Sequence, residues 1–374
     1  MSRILVVAGE ASGDLHAARL VSALSERRGS LEVFGLGGDE LASTGAELLA
    51  HSREIAVVGI TEVLKILPRA RAIYRELLDE VDERNPDLAI LVDFPDFNLR
   101  LAKKLAEQEL PVAYYISPQV WAWRKGRIET IARTVDRMLV LFPFEVDFYR
   151  EHGVEVVHVG HPLVDEVPEL PSIWDRDADP ELFRLALLPG SRGSEVAALL
   201  PVMLASAARI GREVPVKARV VRAPTVEEGQ IRQLVGESGL EVEIVAEDRF
   251  ATVADSHLAL CASGTATLEV GMLTTPMVVL YRLQFWSYLF ARWLVDLPAF
   301  SLVNLVLEER VVPELLQREA NPRRVAEEGL RLLRDGEARR GLRSKLAEVR
   351  ERLGEGGGSR RAAAAVDEML EELS

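Results

Sequence analysis

At 374 residues, 48% apolar and 28% charged, the chain is long enough for two ordinary domains and too apolar to stay unfolded. A formal net charge of −14 excludes a general nucleic-acid binder, whose affinity rests on surplus Lys and Arg set against phosphates. With a single cysteine, Cys261, no intrachain disulfide is possible, and a reducing compartment fits.

The chain opens "MSRILVVAGEASGDLHAARLVSALSE". The five apolar residues after Arg3 are too few for a signal-peptide core. No run of about 18 apolar residues occurs anywhere, so a cytoplasmic protein without a membrane span is expected. Ile4–Ala8 reads as a strand buried on both faces, Gly9–Asp14 as a turn, and the residues from Leu15 as a helix. Further strands are predicted at "EVFGLGG", "LAILVDF", "VAYYIS", "MLVLF" and "VVHVG", with helical spacing between most of them. That alternation predicts a parallel, doubly wound α/β sheet.

The pattern breaks at Pro162–Phe183, which carries four prolines and seven acidic residues and reads as an interdomain linker. It restarts at "RLALLPGSRGSE" and continues through "VKARVVRAP", "EVEIVA", "LALCASGTATLEV" and "PMVVLY". From Asn321 the chain is predicted helical, interrupted once at Gly354–Ser359 before a last short helix. The expected division is a Rossmann-like domain over 1–165, a linker over 166–183, a second Rossmann-like domain over 184–345, and C-terminal helices over 346–374 returning toward an N-terminal domain. Ligands of open α/β sheets bind beyond the carboxyl ends of the strands, so two such sheets are expected to face each other across a cleft.

Several familiar motifs are absent. "GEASGD" lacks the Lys of a triphosphate loop, and "GLGGDE" fails the dinucleotide fingerprint. The "DRD" at Asp175–Asp177 lies in the Pro-rich segment rather than after a strand, and "HVGH" has no third metal ligand beside it. The turns that remain carry more chemistry. In "GSRGSE", Gly190, Ser191 and Arg192 end a strand and start a helix, where backbone N–H groups and a guanidinium can meet an anion; an ordinary tight turn would look the same. "ASGTATLEVG" repeats the arrangement with Ser263, Gly264 and Thr265, and puts Glu269 one helical turn on, suited to a ribose diol. Two anion cradles and a diol acceptor on one sheet suggest a nucleoside diphosphate. In "LVDFPDFN", Asp93 and Asp96 follow an apolar strand, where desolvation favours a general base; capping the helix that begins near Asn98 is the plainer role for Asp96. Trp121 and Trp123 beside Arg124, Lys125 and Arg127, with Phe285 and Trp286 in "LQFWSYLFARWLVDL", form apolar-plus-basic stretches that suit a lipid interface or a buried core.

Taken together, "VAGEASGD", "DFPDFN", "SPQVWAWR", "PFE", "GHPLVDE", "LLPGSRGSE", "ASGTATLE", "PMVVLYR" and "VVPELLQ" resemble, in order from Val7 to Gln317, the lipid-A-disaccharide synthase family of sugar transferases with the GT-B fold. The resemblance implies an inverting transfer from UDP-2,3-diacylglucosamine to 2,3-diacylglucosamine 1-phosphate, with no cofactor and no metal, at the cytoplasmic face of the inner membrane of Gram-negative bacteria. Homodimers with exchanged C-terminal regions occur in such a family. The resemblance assigns Asp96 as general base, Arg192 as the diphosphate-binding cation, Glu269 to the ribose, Glu10, Ser12 and Asp14 to the acceptor side, and Asn304 to the donor phosphates. The chain departs from the family pattern at Val303, where Pro is usual, and at Gln119, where Ser is usual. A UDP-N-acetylglucosamine 2-epimerase or another UDP-sugar transferase would share the two-sheet plan, and a two-lobed binding protein is the non-catalytic alternative.

Overall fold

Both predicted alternations of strand and helix form parallel sheets in the computed structural model, which describes residues 2–55, 60–118, 120, 125–175, 180–282 and 299–373. Trp121, Trp123, Phe285 and Trp286, the expected acyl contacts, lie outside the described residues, as does Gln119. The chain divides into two units, residues 1–162 with 355–374, and residues 163–354.

In the first unit the strands are β1 (Ser2–Ala8), β2 (Leu31–Gly37), β3 (Glu47–His51), β4 (Leu88–Val92), β5 (Val112–Tyr115), β6 (Arg137–Val140) and β7 (Val156–His158). They lie in the order β3-β2-β1-β4-β5-β6-β7, every neighbouring pair parallel. Ile4–Ala8 and Leu88–Val92 are wholly buried, as strands covered by helices on both faces must be. Each fully buried Leu, Ile or Val there contributes about 1.5–3 kcal/mol of apolar transfer.

In the second unit β8 (Phe183–Leu188), β9 (Val216–Val221), β10 (Glu243–Val245), β11 (Leu258–Ala262), β12 (Met277–Tyr281) and β13 (Glu314–Leu316) take the order β10-β9-β8-β11-β12-β13, again all parallel. Each sheet therefore reverses its winding direction beside its first strand, between β1 and β4 in one unit and between β8 and β11 in the other. Ligands of this topology bind in the crevice outside the strand ends at that reversal.

The structure departs from the sequence expectation in four places. The first helix starts at Ala11, so the turn after β1 is Gly9 and Glu10 only. The Pro-rich segment after Pro162 folds onto the second unit: Ile173 and Trp174 are buried, the Trp174 indole N–H donates to the His257 carbonyl at 3.0 Å, and the Arg339 guanidinium lies 3.6 Å from the Trp174 ring. The C-terminal helical stretch is broken twice. Asp335 starts a new helix by accepting the N–H groups of Glu337 and Ala338, which separates Pro322–Arg334 from Gly336–Arg352. The last helix, Gly358–Glu372, is 15 residues long.

That last helix completes the first unit by packing on the helix Ala11–Arg28. The buried residues of the last helix include Ala362, Ala363, Val366, Met369 and Leu370, and those of the first include Ala17, Leu20, Val21 and Leu24. Arg27 and Arg28 both bind the Asp367 carboxylate, and Arg28 also donates to the Asp367 carbonyl at 2.9 Å. Arg137 donates to the Ala365 carbonyl at 2.9 Å and Arg361 to the Val159 carbonyl at 2.9 Å. In the second unit, the helix Gly193–Ile210 is long and apolar enough to cross a membrane by length and composition alone, and its residues Val196, Leu199, Leu200, Met203 and Ile210 are spent in the core.

Candidate active site

The two turns at the first reversal are "GEASGD" after β1 and "DFPDFN" after β4, and β1 and β4 are paired so that Ala8 lies opposite Val92. The turns they end in are therefore neighbours. Glu10 precedes the first helix, and Ser12 is exposed in its first turn. Gly9 has no room for a Cβ, because the Phe94 ring lies against it.

Asp93 and Phe94 both take left-handed backbone angles, φ 46° and 48°, before the helix Pro95–Glu107 begins. Two consecutive non-glycine residues in this region cost on the order of 1–3 kcal/mol each, so the surroundings must enforce them. They do so through the main chain of Asp93. Its N–H donates to the Tyr115 carbonyl at 2.9 Å, and its carbonyl accepts from the Tyr114 hydroxyl at 2.6 Å and the Asn98 amide at 2.8 Å. Asn98, fully buried, also reaches the Val92 carbonyl at 3.2 Å. Sequence reasoning missed both Tyr114 and this role of Asn98. Burial raises the Asp93 carboxyl to about 6, with the charge of Glu10 adding to the effect.

Asp96 stands differently. Its side chain is 69% exposed and ion-paired with Arg127, a residue expected among the lipid-facing cations. Phe94, not Asp96, occupies the helix N-cap, because the helix starts three residues earlier than Asn98. Asp14, expected on the acceptor side, is instead buried: its carboxylate accepts the N–H groups of Gly38 at 2.6 Å, Glu40 at 3.0 Å and Leu41 at 3.1 Å, fixing the start of the helix Asp39–Ser43. The helix register explains it, since position 14 shares a face with the buried Ala17, Ala18 and Val21.

At the second reversal, "GSRGSE" follows β8 and "SGTATLE" follows β11, with Leu188 paired to Cys261 at the strand ends. The first of these turns is held by the Thr225 hydroxyl on the Ser191 carbonyl at 2.6 Å and the Gln230 amide on the Gly193 carbonyl at 2.7 Å. Arg192 is the N-cap of the helix Gly193–Ile210, and its side chain is 79% exposed and paired with Glu195 at 3.3 Å. The donors of this turn already have an acceptor. Glu195 folds back so that its Oε2 takes the N–H groups of Ser191 at 3.0 Å and Arg192 at 3.3 Å. That capping was not visible as such in the sequence, although Arg192 and Glu195 stand at the spacing of a capping box.

In the second turn, Ser263 does not offer its donors to a ligand: its N–H goes to the Leu280 carbonyl at 2.9 Å and its hydroxyl to the Phe300 carbonyl at 3.0 Å. Gly264 and Thr265 are open, and among the described residues their N–H groups and that of Ala266 meet no protein acceptor. Glu269 follows, largely buried, with Arg249 3.3 Å away; burial raises its carboxyl, opposed by Arg249 and reinforced by Glu166. Free N–H donors, an exposed guanidinium and a desolvated carboxylate beside one another can bind a diphosphate and a diol.

Asn304 corrects another expectation. It is 1% exposed, and all of its amide is used inside the unit. Its Nδ2 donates to the Val312 carbonyl at 3.0 Å and Glu314 at 2.9 Å, while its Oδ1 accepts the N–H groups of Val311 and Val312, both at 2.9 Å. It organises the chain leading into β13 rather than presenting a group to phosphate. Val303 sits in the first turn of Leu302–Leu307, capped by Ser301, where a backbone N–H has no intrahelical partner, so the main chain there accepts Val or Pro.

A family model described as lipid-A-disaccharide synthetase matches residues 4–368. The chain is 48% identical over 377 residues to a lipid-A-disaccharide synthase of Myxococcus xanthus (strain DK1622), an alignment covering 98% of this chain and 97% of that protein. Among solved structures it is similar to MurG of Acinetobacter baumannii, with a TM-score of 0.62 at 13% identity, covering 99% of this chain and 100% of that one. A putative UDP-N-acetylglucosamine 2-epimerase from Listeria monocytogenes superimposes with a TM-score of 0.63 at 14% identity, covering 99% and 97%. At such identities these two likenesses establish the fold, which is GT-B, and not the activity.

Proposed function

Because the chain belongs to the lipid-A-disaccharide synthase family, a family of glycosyltransferases, we propose that it transfers the sugar of UDP-2,3-diacylglucosamine to the 6-hydroxyl of 2,3-diacylglucosamine 1-phosphate. The observation that carries this reading is the pairing of turns at each sheet reversal. One pair supplies carboxylates, the other N–H donors, a guanidinium and Glu269.

In this mechanism the diphosphate of the donor lies on the N–H groups of Gly264 and Thr265, and Arg192 neutralises the charge that develops as UDP departs. The ribose hydroxyls donate to Glu269. Gly190 and Ser191 shape the turn that carries Arg192. The acceptor hydroxyl attacks the anomeric carbon, the bond to the UDP oxygen breaks, and the hydroxyl proton passes to the turn bearing Asp93 and Asp96, of which the resemblance assigns Asp96. Glu10 and Ser12 border the acceptor. A single displacement of this kind inverts the anomeric centre.

Two parts of the reading concern where the protein works. We place it on the cytoplasmic face of the inner membrane, supported by the aromatic and basic composition around Trp121 and Trp123 and from Phe285 to Trp293. We also propose a homodimer with an exchanged C-terminal region, supported by the glycine-rich stretch Gly354–Ser359 ahead of the last helix. Light scattering of the detergent-solubilised protein, with and without residues 355–374, tests the second point.

The test of the activity is UDP release from UDP-2,3-diacylglucosamine in detergent micelles, with and without the acceptor. Acceptor-dependent release that Arg192→Ala abolishes supports the transferase. Wild-type protein that instead interconverts a soluble UDP-sugar would replace it with an epimerase.

A further inference from the structure

Arg192, which the transferase reading sets against the departing diphosphate, is already matched to an anion of its own helix. The Glu195 side chain reaches back over the turn from the first turn of Gly193–Ile210. Its Oε1 accepts from Arg192 Nη1 at 3.3 Å, and its Oε2 accepts the N–H groups of Ser191 at 3.0 Å and Arg192 at 3.3 Å. One guanidinium and two main-chain donors are the partners that a phosphate group takes. The carboxylate also lies directly over Gly190, where a Cβ would strike it, so it fills the space that a phosphate on the same N–H groups needs. Charge opposes joint occupancy as well. Burial raises the hydroxyl of Tyr281, at the end of β12, with Glu195 adding to the effect and Arg192 opposing it, so this neighbour stays neutral. The single charge of Arg192 does not balance a carboxylate and a phosphate side by side, and the two anions repel.

We infer that Glu195 is a displaceable occupant of the diphosphate seat, yielding Arg192 and the two N–H groups to the donor and taking them back as UDP leaves. The inference rests on the transferase reading above, which gives Arg192 to the diphosphate. In the transfer, the bond between the anomeric carbon and the UDP oxygen breaks, and its electron pair stays on the terminal phosphate. That phosphate then carries one more negative charge than it did in the donor, and a terminal phosphate keeps most of this charge above a pH of about 6. A carboxylate competing for the same donors therefore opposes the product more than the donor. Glu195 acts through Arg192 and its turn, as a positioning residue. A capping role alone makes the opposite prediction, because loss of the cap would loosen the turn and weaken its hold on UDP.

The experiment reads the sign of a change in affinity. Calorimetry at pH 7.5 or so gives Kd for UDP, uridine and UDP-2,3-diacylglucosamine in detergent micelles, for wild type, Glu195→Gln and Glu195→Ala. Urea unfolding of each variant runs alongside. Gln keeps an acceptor oxygen for the turn and removes the charge, whereas Ala removes the cap as well. Glu195→Gln should bind UDP about 5- to 30-fold tighter than wild type, the donor tighter by a smaller factor, and uridine unchanged. Glu195→Ala should unfold at lower urea and still bind UDP more tightly than wild type. The inference is overturned if Glu195→Gln binds UDP within about twofold of wild type, or more weakly. Equal tightening of donor and UDP overturns it too. Absence of acceptor-dependent UDP release from a wild type that binds UDP would instead sink the transferase reading, and the Glu195 comparison, read in binding, would still report the competition for the seat.

Discussion

Glu195 occupies the space above Gly190: a Cβ at residue 190 would strike the Glu195 carboxylate that caps the N–H groups of Ser191 and Arg192. Gly190 also has φ 115°, a conformation open to glycine and strained for any side chain. Gly190→Ala should therefore lose about 2 kcal/mol or more of stability and displace the Glu195 cap. Urea unfolding reads the first effect, and a weaker Kd for UDP, with uridine unchanged, reads the second.

Arg192 should behave in the opposite way. Its side chain is mostly in solvent and its ion pair with Glu195 is a local one, so Arg192→Ala should change stability by no more than about 0.5 kcal/mol. If it stabilises the departing diphosphate, kcat should fall about 10²- to 10³-fold. Steady-state kinetics beside a melting curve separates the two.

Asp14 and Asn304 should be residues of stability rather than of substrate contact. Asp14→Ala strands three backbone donors, and Asn304→Ala strands partners on both sides of its amide. Each change should cost about 2–4 kcal/mol, with KM close to wild type in the protein that remains folded. A large rise in KM with an unchanged melting temperature would reassign either residue to the ligand.

His161 gives stability a pH dependence. Burial against Phe142 pushes its imidazole down to about 3, with the nearby His16 adding to the effect. The folded value lies below the unfolded value of about 6.5, so the unfolded chain binds the proton more readily. Its contribution is complete above pH 6.5 and is lost as the pH falls toward 3. Denaturant midpoints at falling pH should drop less steeply in His161→Asn than in wild type.

The strands with both faces buried were legible because they are unbroken apolar runs, as in "LAILV" and "LALCA". β3 and β13 were not, since each is short, only partly covered and lacks an unbroken apolar run. Of the site, the turn positions were legible from Gly and Pro at the strand ends. What the side chains do within them was not. The Asp96–Arg127 pair spans 31 residues, and the Tyr114 bond to Asp93 spans 21, so neither leaves a local pattern. Asp14 is the exception. Its spacing from Ala17, Ala18 and Val21 was there to be read, but ending the turn at Asp14 rather than at Glu10 kept it off the helix face.

The docking of Gly358–Glu372 on Ala11–Arg28 has a consequence for biosynthesis. A ribosome releases the first seven strands long before the last helix, so the surface of Ala11–Arg28 on which that helix packs stays uncovered while some two hundred intervening residues are made. The second unit is contiguous and can fold first. The first unit is therefore completed only once the helix ending at residue 372 has been made.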